Sequence, residues 1–171
     1  LPIYVTVAQS LPKGDKMDWI VQKCTEMGAH RIIPFTSSRT VVQLKGDKTA
    51  RRIERWQKIA KEAAEQAHRS MVPAIETPIP WEQLMNLGQQ FDVSLFAYEG
   101  EGTVPIKHAL ETFRHLRRIL LVIGPEGGFE PMEVEQAFTC GMTPVSLGKR
   151  ILRTETAALY GLAVISYQFE M

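Results

Sequence analysis

Two glycine-containing stretches near the C-terminus have residue types suited to binding a small ligand. The first, IGPEGGF (123–129), begins at the end of the apolar run ILLVI and places three glycines and a proline beside Glu126. The second, LGKRILRTETA (147–157), leads through a glycine and several basic residues into a helical pattern. Glycines in such turns let main-chain groups approach a ligand closely. Both stretches therefore indicate a site that is read mainly by the backbone.

The first stretch differs from the common phosphate-binding loops. Its spacing is neither GxGxxG nor GxxxxGK[ST]. Pro125 has no N–H to donate, and Glu126 would repel a phosphate at close range. A neutral or cationic ligand fits better, and S-adenosylmethionine, which carries a sulfonium, is one such ligand. A purely structural turn uses the same residue types and remains the alternative.

The second stretch strengthens the case for a pocket. Lys149, Arg150 and Arg153 are grouped where the chain enters a helix, and Thr154 is placed to cap that helix. Ligands of open α/β sheets bind beyond the carboxyl ends of the strands. Two such ends carry glycine loops here, so we expect one pocket between them.

The elements that position these loops alternate between strand and helix, which predicts an α/β fold. The run ILLVI lacks polar alternation and predicts a strand buried on both faces of a parallel sheet. Pro34 predicts an edge strand or an irregular end, and TVVQL (40–44) is a candidate extension of that strand after a bend. The expected strands are 3–8, 31–36, 93–98, 119–123 and 143–147, and the main expected helices begin at 17, 49, 106, 130 and 154.

Composition bounds the possible functions. The 171 residues suit one domain, and the longest apolar stretch, nine residues at 157–165, is too short for a membrane span of about 20. Cys24 and Cys140 form no CxxC pattern, and the four histidines form no i, i+4 pair, so neither a disulfide framework nor a metal site is predicted. A reducing, cytoplasmic location is expected.

The net charge of +1 is distributed unevenly. Residues 11–72 hold 13 Lys/Arg against 7 Asp/Glu, and the remainder holds 7 against 12. This surplus favours a polyanion contact in the N-terminal part, and a solvated helix face explains it equally well. The basic side chains of the long helix are Arg51, Arg52, Arg55, Lys58 and Lys61.

The whole chain resembles the RsmE family of bacterial 16S ribosomal RNA methyltransferases, which belongs to the SPOUT superfamily. IGPEGGF and LGKRILRTETA carry the resemblance, together with KGDKMDWIVQKCTEMG, SSRTV and EAAEQAHRSMVP. It implies a cytoplasmic homodimer that uses S-adenosylmethionine to methylate N3 of a uridine in 16S rRNA of the 30S subunit, near the decoding region. The alternative is a non-catalytic RNA-binding module; a nucleoside-triphosphate enzyme is disfavoured because the P-loop lysine is missing.

The resemblance also implies a fold. Residues 1–171 would form a SPOUT-type α/β knot, with a mostly parallel sheet, helices on both faces and a C-terminal trefoil knot. Without the resemblance, the order of predicted strands and helices predicts an unknotted sheet, because knots are rare in proteins. The family's N-terminal PUA-like domain has no counterpart in this sequence, so we expect the chain to be the catalytic domain of a longer protein.

Site residues follow from the same resemblance. Uridine N3 must lose a proton before it attacks, so a base, a cation that stabilises the uracil anion, or both are needed. Arg153 is the first candidate for the cation, before Arg39 and Arg69, and Glu155 or Glu126 is the candidate base, although each could serve only structure. The RNA-binding candidates are Lys16, Lys23, Arg39 and Arg69. The expected cofactor-binding residues are Phe96, Ala97, Tyr98, Ile123, Gly124, Glu126, Gly127, Gly128, Leu147, Gly148, Ile151, Leu152, Thr156 and Ala157.

Overall fold

The computed structural model describes residues 1–113 and 115–171, in which eight strands form one sheet. Every strand pair in this sheet is parallel. The strands are β1 (Tyr4–Ser10), β2 (Arg31–Thr36), β3 (Ala74–Ile75), β4 (Ile79–Pro80), β5 (Val93–Ala97), β6 (Val104–Pro105), β7 (Arg118–Ile123) and β8 (Thr143–Ser146). Their order in the sheet is β3-β2-β1-β7-β5-β8-β6, with β4 also paired to β2.

Helices cover both faces of the sheet, as expected. Alternate residues of a strand point to opposite faces, so Val7 belongs to one apolar cluster and Ala8 to the other. The helices are α1 (Lys16–Glu26), α2 (Asp47–Gln66), α3 (Trp81–Gly88), α4 (Ile106–Thr112), α5 (Pro131–Thr139) and α6 (Thr154–Glu170). The larger cluster includes residues of α1, α2, α4 and α6, and the smaller one includes residues of α3 and α5.

Strand β7 lies in the middle of the sheet, and the prediction that it is buried on both faces is confirmed. Residues 119–123 are at most 1% exposed. Leu120 and Val122 pack with one cluster, while Ile119, Leu121 and Ile123 pack with the other. This position brings the carboxyl end of β7 between those of β1 and β5.

Pro34 lies in a penultimate strand rather than an edge strand. The Ile32 carbonyl accepts a hydrogen bond from Glu76 N on the outer side of β2. The main-chain groups of every second residue in a strand point to the same side, so the nitrogen of Pro34 faces the outer side too. There the pairing is interrupted: β3 ends opposite Ile32 and β4 begins opposite Phe35. A residue without an N–H therefore costs the sheet no hydrogen bond.

The expectation that TVVQL extends β2 is wrong. Residues 40–45 form no strand. Val42 and Leu44 pack, partly buried, against the larger cluster, whereas Val41 is 68% exposed. The alternating apolar residues Val42 and Leu44 thus pack a loop against the core.

Helix ends follow the sequence signals closely at two places. Gly28, with φ of +96°, follows the last residues of α1, where Met27 is the C-cap. Helix α5 begins with a capping box between Glu130 and Glu133, has Pro131 in its first turn and is followed by Gly141 at φ +79°. Both helices are therefore delimited by local sequence.

Candidate active site

A cavity of about 810 Å³ lies at the carboxyl ends of β5, β7 and β8. These three strands are neighbours in the sheet, so the loops that follow them meet. The walls are formed by residues 97–99, 123–129 and 145–153, by the start of α6, and by Lys16 of α1. The expected single pocket between the two glycine loops is therefore present.

The loop after β7 is held in one conformation. Gly128 N donates to the Pro125 carbonyl over 2.9 Å, which closes a turn, and Gly128 has φ of +73°. Gly124 lies against the Phe129 ring, where a Cβ would come within 2.5 Å of a ring carbon. From outside the loop, Arg39 Nη1 donates to the Gly127 carbonyl over 2.9 Å.

Glu126 anchors this loop to the segment before α1. Its Oε1 accepts from Lys13 N over 3.0 Å and lies 3.5 Å from Lys16 Nζ. Partial burial works to raise the pKa of Glu126, but the hydrogen bonds from Lys13 N and its own N–H, with the charge of Lys16, outweigh it and lower the pKa below 4.5. A carboxylate held this firmly as an anion is a weak proton acceptor.

Glu155 is placed differently, although the same lysine approaches it. Lys16 Nζ lies 3.8 Å from Glu155 Oε2, beyond hydrogen-bonding distance. This oxygen is buried and has no hydrogen-bond partner among residues 1–113 and 115–171. Glu155 therefore has a carboxylate oxygen that no hydrogen bond from the described residues occupies, and it lies next to the cavity wall at Thr154 rather than on the wall itself.

Exposed basic residues form one rim of the cavity. Lys149, Arg150 and Arg153 all line it, and in the described part of the chain none of them forms a salt bridge. Ile151, in the same loop, is 85% exposed. This rim presents positive charge beside an apolar side chain that the chain itself leaves uncovered.

A buried hydrogen-bond chain connects three of the segments around the cavity. The Gln9 amide donates to Thr154 Oγ1 over 2.9 Å, and Thr154 Oγ1 donates to the Gly124 carbonyl over 2.7 Å. The expectation that Thr154 caps α6 is therefore wrong: Arg153 is the N-cap residue, and the hydroxyl reaches the neighbouring loop instead. Gln9 was not predicted as a site residue, and the signal that could have indicated it is a polar amide within the mostly apolar strand β1.

Most of the expected cofactor-binding residues line the cavity, and two do not. Phe96 is fully buried beneath it, in contact with Phe129 at a ring-centroid distance of 4.6 Å. Thr156 is an exposed residue of α6, whereas Ala157, one position on, is on the cavity wall. The residues that line it are Ala97, Tyr98, Ile123, Gly124, Glu126, Gly127, Gly128, Leu147, Gly148, Ile151, Leu152 and Ala157.

The four RNA-binding candidates are separated by the fold. Lys16 lines the cavity and Arg39 contacts the glycine loop. Lys23 instead pairs with Glu26 over 2.9 Å along α1. Arg69 donates to the carbonyls of Thr25 and Ala29 over 2.9 and 2.7 Å. The guanidinium of Arg69 is thus committed to the C-terminal end of α1 and is no candidate for the cavity.

The described residues contain neither a metal-binding cluster nor a membrane-spanning helix. Among the described residues, no group of three or more His, Cys, Asp or Glu side chains is arranged to hold a metal ion. In the same part of the chain, no helix combines the length and apolar character that crossing a bilayer requires. His30 Nδ1 accepts from Val5 N over 3.2 Å, which is a structural role.

Comparison with known proteins agrees with this geometry. The family model of an RNA methyltransferase domain matches residues 1–166. The ribosomal RNA small subunit methyltransferase E of Bacillus subtilis is 47% identical, over 100% of this chain and 68% of that protein. The protein of the same name from Synechocystis is 36% identical, over 99% of this chain and 55% of that protein. The chain thus spans between about half and two thirds of these relatives.

A solved structure shows the same similarity. Ribosomal RNA small subunit methyltransferase E from Neisseria gonorrhoeae, bound to S-adenosyl methionine, superposes with a TM-score of 0.86 and is 35% identical, over 98% of this chain and 68% of that one. The sheet is shared with methyltransferases of known structure, and the family model defines the class, an α/β RNA methyltransferase domain. Within that class, the chain belongs to the ribosomal RNA small subunit methyltransferase E family.

Proposed function

We propose that this chain transfers a methyl group from S-adenosylmethionine to N3 of a uridine in 16S rRNA, near the decoding region of the 30S subunit. The observation that carries the proposal is the cavity itself, formed by two glycine loops and edged, just before α6, by cations that form no salt bridge among the described residues. The N. gonorrhoeae relative is described as bound to S-adenosyl methionine, and the family's name specifies small-subunit rRNA.

The cavity fits the methyl donor in size and chemistry. Its volume of about 810 Å³ lies in the range of about 300–1,000 Å³ that is typical of small-molecule sites. Main-chain groups of Gly127, Gly128 and Gly148 face it beside apolar side chains such as Leu147 and Leu152, which suits an adenine ring with polar edges. The donor would supply an electrophilic methyl group on a sulfonium.

The acceptor determines what the remaining side chains must do. Uridine N3 becomes a nucleophile once its proton has left, and negative charge then spreads onto the uracil oxygens. Glu155 has a buried oxygen without a hydrogen-bond partner among the described residues and can accept that proton. Arg153, the N-cap residue of α6, can stabilise the charge on the uracil.

The remaining parts of the proposal are a cytoplasmic homodimer and the C-terminal trefoil knot that the resemblance implies. Ile151 is 85% and Tyr167 is 71% exposed, so both apolar side chains are available to a second subunit. Light scattering measures the molar mass in solution. A value for a single chain of 19.3 kDa at micromolar concentration would exclude the dimer.

Calorimetric titration with S-adenosylhomocysteine tests donor binding on this chain directly. A saturable heat is expected if the cavity accepts the adenosyl group. An RNA-binding module without catalysis predicts that 16S rRNA fragments bind while S-adenosylhomocysteine produces no heat, even at millimolar concentration. That result would overturn the proposal.

A glycine substitution with a matched control locates the binding to the loop. Gly128 has φ of +73°, so Gly128→Val strains the backbone of the glycine loop and is expected to lower donor affinity at least about tenfold. Gly141→Val imposes a similar strain at φ +79° after α5, outside the cavity, and should leave donor affinity unchanged. Equal affinities in the two variants would show that the donor binds elsewhere.

A further inference from the structure

Gln9 is a buried amide whose hydrogen bonds have a fixed direction. Its Nε2 lies 2.9 Å from the Ser10 carbonyl, which can only accept, so the amide nitrogen must be the donor there. The second N–H of the same nitrogen then points to Thr154 Oγ1, also at 2.9 Å. Because Thr154 accepts this bond, its single hydroxyl proton is available for the Gly124 carbonyl, 2.7 Å away.

This chain of hydrogen bonds joins segments that are distant in sequence. Gln9 is at the end of β1, Thr154 is the first residue of α6, and Gly124 follows β7. Gln9 is fully buried and Thr154 is 5% exposed, so water does not compete for these bonds and each one polarises the next. Gln9 is not on the cavity wall, whereas both Thr154 and Gly124 are.

We propose that Gln9 is a positioning residue for the methyl donor: through Thr154 it fixes the Gly124 carbonyl and the start of α6 relative to each other. The distance between the glycine loop and the residues that flank Thr154 then depends on this amide. Arg153 and Glu155 are those flanking residues. Gln9 therefore fixes the position of the bound donor relative to the groups that act on the acceptor. The inference rests on the proposed function, since it concerns the same cavity.

The cost of the arrangement supports a role beyond folding. The Oε1 atom of Gln9 is buried and has no hydrogen-bond partner among the described residues. A leucine or methionine at position 9 would avoid this unpaired acceptor, which carries a desolvation penalty. An amide at this position is therefore explained by the two bonds it donates rather than by packing.

Substitutions that remove one bond at a time test the proposal. Thr154→Val keeps the shape of the side chain and removes the hydroxyl, and Gln9→Met keeps its length and removes the amide. Each is expected to weaken binding of S-adenosylhomocysteine, measured by calorimetry, about tenfold, and the double variant should be no weaker than the more affected single variant. Thr154→Ser restores the hydroxyl and should return the affinity to within about threefold of the original.

Thr6→Val is the matched control. Thr6 lies in the same strand, its hydroxyl is buried and has no partner in the described part of the chain, and it takes no part in the hydrogen-bond chain. Thermal unfolding of every variant is measured beside the titrations. Thr6→Val should keep the original donor affinity, which separates positioning of the donor from a general effect of altering β1.

The outcomes distinguish the two proposals. If the unaltered chain binds no S-adenosylhomocysteine, the proposed function fails and the inference fails with it. If the unaltered chain binds and Thr154→Val binds equally well, only the inference is overturned. Additive losses in the double variant would also overturn it, because independent effects mean that Gln9 does not act through Thr154. Should Gln9→Met not fold, the comparison of Thr154→Val with Thr154→Ser still decides.

Discussion

At the scale of single residues, the charged side chains at the cavity differ in whether other residues of the protein already bind them. Glu126 is bound to Lys13 N and faces Lys16, so its charge serves the loop. Arg153 lines the cavity and forms no salt bridge in the described part of the chain. A charge that no described residue pairs is available to a substrate, which is why Arg153 is the first residue to test.

Arg153→Ala is expected to lower methylation of 30S subunits by about 10²-fold, the usual cost of removing one electrostatic contact to a transition state. Donor affinity should change little, because the expected role concerns the acceptor. Transfer of a radiolabelled methyl group measures the rate, and calorimetry measures the affinity. Lys107→Ala, on the exposed side of α4, is the control. Unchanged turnover in Arg153→Ala would remove this residue from the mechanism.

The two cysteines should react very differently with alkylating agents. Cys24 is completely buried, and burial raises its pKa to about 12, so the thiol stays protonated in the folded protein. Its contribution to stability is constant at pH values below its ordinary pKa of 9.0 and is lost as the pH rises from there towards 12.

Mass spectrometry after iodoacetamide treatment at pH 8 should find one modified cysteine in the native protein, the half-buried Cys140, and two in denaturant. Cys140→Ser should abolish the native modification. Rapid native labelling of Cys24 would show that α1 opens far more readily than its packing against the sheet implies.

At the scale of elements, α1 and α2 are joined at their C-terminal ends by a single arginine. Arg69, just after α2, donates to the carbonyl of Thr25 in the last turn of α1 and to that of Ala29, three residues beyond the helix. A positive charge there also complements the helix dipole. Arg69, which was predicted from the sequence to contact RNA, therefore links the ends of two helices in the structure.

Arg69→Ala is expected to lower the free energy of unfolding by about 1–2 kcal/mol, since the lost hydrogen bonds are charge-assisted but the side chain is only half-buried. Urea denaturation measures this change. Donor affinity should be unaffected, and Arg52→Ala, a basic residue of α2, should have a smaller effect on stability. Full stability of Arg69→Ala together with impaired RNA binding would instead support the prediction that Arg69 contacts RNA.

At the scale of the whole molecule, the cavity is formed by segments that are far apart in the sequence. Its walls come from the ends of three strands and the starts of α1 and α6. A ligand that contacts all of them binds the folded state alone, so its binding free energy adds to the stability of the complete fold.

S-adenosylhomocysteine at 100 times its Kd should therefore raise the free energy of unfolding by about 2.7 kcal/mol. For a chain of this size, that corresponds to a rise in Tm of about 5–10 °C. Differential scanning calorimetry measures the shift, and adenosine diphosphate at the same concentration is the control. A Tm that does not depend on S-adenosylhomocysteine would contradict a site assembled from these segments.

The sequence by itself determined the longer helices and strands and the location of the cavity, but it did not predict the two-residue strands β3, β4 and β6. The apolar run of β7, the capping signals of α5 and the two glycine stretches act over a few residues, so their physical consequences can be read locally. Because the carboxyl ends of neighbouring parallel strands share one edge of the sheet, the meeting of the loops followed from the fold class as well.

Only the tertiary structure decided which residues serve the site and which serve the fold. Arg69 and Phe96 carry groups suited to a site, but their partners are Thr25 and Ala29 for the first and Phe129 for the second. Gln9 acquired its importance from Thr154, 145 positions away. Hydrogen bonds and burial depend on distances in space, and residue type alone does not fix which partner, ligand or solvent a polar group will meet.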